Sequence, residues 1–164
     1  YHINIGLLDF KKTLIKTKEK IPFQLKNSPE SLDELCAIIL DFTKGLSSIA
    51  EQIVGIGVNL SGRINYKTGY SYSFFHFSEE PLSQIIEKKV GIKTYLENDS
   101  RAMAYGEFCN GIVADEKNVL YINMDYGIGL GIMINGQMYY GKSGFAGEFG
   151  HIRVFHNEII CHCG

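Results

Sequence analysis

Along the first 110 positions, apolar residues switch between a two-residue period and a helical one, the signature of strands and helices taking turns. In residues 1–10, YHINIGLLDF, Ile3, Ile5 and Leu7 share one face, which predicts a half-buried strand. It starts without a cap or turn, as a strand cut from the middle of a sheet would. Residues 13–22 continue as an exposed strand rich in lysine, a common defence of a sheet edge. Asn27-Ser28-Pro29-Glu30 marks a helix start, with Ser28 as N-cap and Pro29 in the first turn, or else with Ser31 and Glu34 as a capping box. Leu32, Leu35, Ile38, Ile39, Phe42 and Leu46 follow at helical spacing, a buried stripe reaching to about Ser47.

Residues 53–58, IVGIGV, form the short apolar run expected of a central parallel strand covered on both faces. Asn59-Leu60-Ser61-Gly62 is the loop at its carboxyl end, where open α/β sheets bind ligands. Residues 63–77 carry turn signals at Lys67-Thr68-Gly69 and a run of tyrosine and phenylalanine that either stacks on a sugar face or fills core. Pro81 starts a helix with Leu82, Ile85, Ile86 and Val90 in period, and Gly91 ends it. Residues 93–96 are the next strand and deliver Glu97-Asn98-Asp99 to the start of a helix over 100–110. Two readings of this junction stand together. Asp99 caps the helix through its first N–H groups, or Asn98 and Asp99 project into a cleft and bind adjacent hydroxyls of a polyol.

Residues 119–123 are a buried strand, followed by glycine at every second position in Gly127-Ile128-Gly129-Leu130-Gly131. A dinucleotide fingerprint would need a helix to begin there, and none does. Ile132-Met133-Ile134, Asn135-Gly136 and Gln137-Met138-Tyr139-Tyr140 instead spell strand, type I′ turn and strand. The glycines therefore belong to a β-hairpin whose backbone approaches a neighbouring group or an anion closely. Beyond a loop at 141–144, Gly147-Glu148-Phe149-Gly150-His151 sets two polar side chains between glycines. His151, Cys161 and Cys163 suit tetrahedral zinc, one ligand short of a closed site; the alternative is a buried histidine and two free thiols.

The chain has 164 residues, 45% of them hydrophobic, enough for a core, and a formal charge of -2, a near-neutral balance that argues against a surface that grips a phosphate backbone. Without a membrane-length apolar run or a signal-peptide pattern, a cytoplasmic protein with no membrane partner is expected. The four cysteines lack disulfide-scaffold spacing, and Cys36 and Cys109 are expected as small buried hydrophobes in helices.

Taken together, Glu97-Asn98-Asp99-x-x-Ala102-x-Ala104-x-Gly106-Glu107, Gly127-Ile128-Gly129-x-Gly131 with Asn135-Gly136, Ala146-Gly147-Glu148-x-Gly150-His151 and Cys161-x-Cys163-Gly164 resemble the ROK family of bacterial sugar kinases and sugar-responsive repressors. The resemblance spans nearly the whole chain. It implies an α/β, actin-like, hexokinase-like (ribonuclease H-like) ATPase fold, truncated at both ends: residues 1–112 a first lobe lacking its first strand, and 113–164 the start of a second lobe. It gives Asp99 the role of catalytic base if the protein is a kinase. Asn98, Asp99, Glu148 and His151 become sugar contacts, Gly127, Gly129 and Gly131 the phosphate loop, and His151, Cys161 and Cys163 the ligands of structural zinc. ATP with magnesium is implied only for a kinase. Kinase members carry Gly-Thr where this chain has Asp125-Tyr126, and a carboxylate there repels ATP phosphates. The family's usual proline before Gly62 is replaced by Ser61. These departures resemble the repressor branch, which implies a sugar or sugar-phosphate ligand, operator DNA bound through an upstream domain absent from this chain, and a homo-oligomer.

Overall fold

The computed structural model describes residues 2–113, 115–125 and 127–154, and the chain divides into two compact units, Tyr1–Asp99 and Ser100–Gly164. The first unit opens with β1 (His2–Leu8) paired antiparallel to β2 (Leu14–Pro22). Asp9 Oδ1 accepts the amides of Lys11 and Thr13, both at 2.8 Å, and so shapes the turn between them. Ile3, Ile5 and Leu7 lie on the half-buried face, as their alternation predicts. Nearly all of β2 is exposed, with Lys18 paired to Asp41 at 3.1 Å and Lys16 donating to the Gly45 carbonyl at 2.7 Å.

Helix α1 (Pro29–Lys44) takes the first of the two expected starts: Ser28 Oγ accepts the Ser31 amide at 3.3 Å, and Pro29 sits in the first turn. It stops at Lys44, with Gly45 as its C-cap, and Ser47–Gln52 form a 3₁₀ turn instead of continuing the helix. Its apolar stripe is buried as expected: Leu32, Leu35 and Ile39 join Val58, Leu60, Leu96 and Ile86 in one core. Each such side chain contributes about 1.5–3 kcal/mol on leaving water. Cys36 lies in the same core, and burial pushes its thiol pKa up, which suits an inert filler. Cys109 is only half-buried.

Strand β3 (Ile56–Leu60) lies further along than the run 53–58, because the 3₁₀ turn ends on Ile53 and leaves Val54 70% exposed. A short hairpin of β4 (Ile64–Asn65) and β5 (Tyr70–Ser71) follows, then α2 (Leu82–Val90), which ends at Gly91 in the left-handed region. β6 (Thr94–Asn98) returns parallel to β3, completing a β-α-β unit. Val58 and Leu60 are buried while Gly57 and Asn59 are exposed, so β3 is covered on one face rather than two. Residues of β1, α1 and β3 line a cavity of about 670 Å³.

The second unit contains α3 (Asp99–Asn110) from Ser100 onward and a three-stranded antiparallel sheet in the order β7-β8-β9, formed by Val119–Met124, Ile128–Ile134 and Gln137–Met138. Asn135 (φ 53°) and Gly136 (φ 75°) both adopt the left-handed conformation that the expected type I′ turn needs. Val119, Tyr121 and Asn123 are half-buried, whereas Leu120, Ile122 and Met124 on the other face of β7 are exposed. Among the described residues, no helix is long and apolar enough to cross a membrane.

Candidate functional site

Parallel pairing of β3 with β6 places the carboxyl ends of two strands side by side. The register aligns Leu60 with Asn98, so the residues that leave the strands, Ser61 and Asp99, are the next pair along. Ser61 Oγ donates to Asp99 Oδ2 at 2.5 Å, in the range of a hydrogen bond to a charged oxygen. The Asn98 side-chain amide donates to Asp99 Oδ1 at 3.1 Å and to the Gly62 carbonyl at 3.0 Å. Glu97 Oε1 in turn accepts the Asn98 backbone amide at 2.7 Å. Both oxygens of the Asp99 carboxylate are thus held from neighbouring segments.

Asp99 was expected just ahead of the helix and is instead its first residue, where the N-terminal dipole favours a negative charge. Ser61 and Asp99 also line the 670 Å³ cavity, among mostly apolar residues of β1, α1 and β3. Polar groups set among apolar walls suit a ligand that carries hydroxyls.

The remaining expected contacts lie in the second unit. Glu148 Oε2 and His151 Nε2 are 3.5 Å apart, joined through a 3₁₀ turn at Phe149–His151, with Glu148 half-buried and His151 exposed. The glycines around them have a steric reason. A Cβ on Gly147, which has φ +93°, would collide with the Leu130 carbonyl oxygen, and one on Gly150 with that of Ile128. The loop bearing Glu148 therefore lies directly against the backbone of β8. The expected phosphate-loop glycines divide into two kinds. A Cβ on Gly129 would collide with Ser100 Oγ and one on Gly131 with the Ala104 Cβ, so both let β8 approach α3, whereas Gly127 has open space around it. Asp125 is exposed in the turn before β8, where its N–H donates to the Gly127 carbonyl at 3.0 Å. Tyr126, Cys161 and Cys163 lie outside the described residues, and among the described ones no group of three His, Cys, Asp or Glu side chains converges on a metal-sized space.

Two residues stand out that sequence reasoning left without a role. Ser61 holds Asp99, and its sequence signals were its place in the loop after a parallel strand and its departure from the proline expected before Gly62. Arg101 is 2% exposed, donates to the Gly144 carbonyl at 3.0 Å and stacks its guanidinium 5.5 Å from the Tyr140 ring centre, tying the loop before Glu148 to α3.

An α/β chain that gathers an amide and a carboxylate at the ends of neighbouring parallel strands falls among proteins that bind ligands at such strand ends. A family model described as the ROK family matches residues 1–164. A glucokinase of Streptomyces coelicolor is 30% identical over 164 residues, covering 99% of this chain and 50% of the relative. A xylose repressor of Bacillus subtilis is 30% identical over 165 residues, covering 99% of this chain and 42% of the relative. The crystal structure of a ROK family glucokinase from Streptomyces griseus in complex with glucose and AMPPNP superposes with a TM-score of 0.81 at 27% identity, covering 97% of this chain and 49% of that one. The chain belongs to the ROK family and carries its actin-like, hexokinase-like fold. It spans about half the length of the curated relatives it matches.

Proposed function

We propose that this chain is the sugar-binding effector part of a ROK-family transcriptional regulator, with a hexose, pentose or amino-sugar derivative as its ligand. The sugar reading rests on the Asn98–Asp99 pair at the strand ends, where Asn98, its two amide hydrogens given to Asp99 and the Gly62 carbonyl, orients a carboxylate that accepts from a sugar hydroxyl. Glu148 and His151 supply further polar contacts in this reading. The observation that favours regulator over kinase is Asp125. An exposed carboxylate in the turn before β8, where kinase members carry Gly-Thr, opposes the negative charge of a nucleotide triphosphate. Asp99 itself favours a second reading, a sugar kinase in which that carboxylate takes the proton from the attacking hydroxyl, and the glucokinase relatives support it.

The two readings separate on turnover. Incubated with ATP, magnesium and D-glucose, N-acetylglucosamine or N-acetylmannosamine, the full-length protein is expected to form no sugar phosphate in a coupled assay. Steady phosphorylation of any of the three overturns the regulator reading and establishes the kinase.

A further inference from the structure

We infer that Ser61 is a positioning residue that sets the direction in which Asp99 meets a hydroxyl-bearing ligand. An aspartate at a strand end has two side-chain torsions to settle, and one contact leaves the carboxylate free to swing about it. Here the two oxygens are held separately: Oδ2 by the Ser61 hydroxyl at 2.5 Å and Oδ1 by the Asn98 amide at 3.1 Å. Asn98 is anchored in turn on the Gly62 carbonyl at 3.0 Å, so both restraints trace back to the loop that follows β3. These two contacts tie the carboxylate to the loop that the pairing of β3 with β6 places beside it.

The bond is also specific in its chemistry. A serine hydroxyl next to a carboxylate donates, so Asp99 is held as an acceptor. Ser61 is exposed, and removing its hydroxyl opens no hole in the core. Its effect should therefore appear in ligand binding and not in stability. Threonine keeps the hydroxyl, and the exposed setting leaves space for the extra methyl.

The inference rests on the sugar reading above, and its test separates the two. Full-length wild type, Ser61→Ala and Ser61→Thr would be titrated calorimetrically with D-glucose, D-xylose and N-acetyl-D-glucosamine. Ser61→Ala is expected to bind the recognised sugar about tenfold more weakly, with an unchanged thermal midpoint, the size of effect that one hydrogen bond to a charged group provides. Ser61→Thr is expected to restore affinity to within about twofold of wild type. Wild-type affinity in Ser61→Ala, or a loss that threonine does not restore, overturns the positioning role. If wild type binds none of the sugars, the sugar reading fails. Ser61 is then judged on the crystal structure of Ser61→Ala: rotated Asp99 torsions support positioning, and unchanged ones overturn it.

Discussion

Arg101 carries a full charge into the interior of the second unit, against the rule that arginine stays at the surface. What keeps it there is a hydrogen bond to the Gly144 carbonyl and the face of Tyr140. Arg101→Ala is expected to lower stability by about 2–3 kcal/mol, since it removes a charged hydrogen bond and a desolvated cation–π contact together. Urea unfolding measures it, and a loss below about 0.5 kcal/mol would contradict the assignment. Arg101 was not legible in the sequence because an arginine in a helix usually marks the solvent face, and its partners lie some forty residues away in a loop. Asn98 and Asp99 were legible as a polar pair at a strand end ahead of a helix, a place that helix capping and ligand contact explain equally well. Ser61 fell between these cases: its location was visible, but its partner depended on strand register.

At the level of elements, the hairpin from β8 to β9 followed directly from Asn-Gly, because only residues at ease with positive φ make that turn. The alternating glycines of β8 were harder. Sequence alone admits any close neighbour, and the structure supplies one for two of them: α3 presses Ser100 and Ala104 against Gly129 and Gly131. Gly131→Ala is accordingly expected to cost about 1–3 kcal/mol, as overpacking between a strand and a helix does, while Gly127→Ala stays within about 0.5 kcal/mol. Equal effects at the two positions, read from denaturant midpoints, would contradict the packing role. The start of β3 was misplaced for a related reason. Ile53 and Val54 look like strand residues, but the 3₁₀ turn before them consumes that length and leaves them outside the sheet.

Across the molecule, the same fold serves relatives named for catalysis and relatives named for repression, so fold alone does not choose between them. In the reading proposed above, the choice falls to individual side chains: a carboxylate at Asp125 that disfavours a nucleotide, and a carboxylate at Asp99 that meets sugar hydroxyls. The second of these is the centre of the account. It is tested most directly by calorimetric titration of the full-length protein and its Asp99→Ala variant with D-glucose, D-xylose and N-acetyl-D-glucosamine. The account predicts that wild type binds at least one of these sugars and that the variant, still folded and with a melting midpoint lowered by no more than about 4 °C, binds it at least about tenfold more weakly. Equal affinities in the two proteins would contradict it.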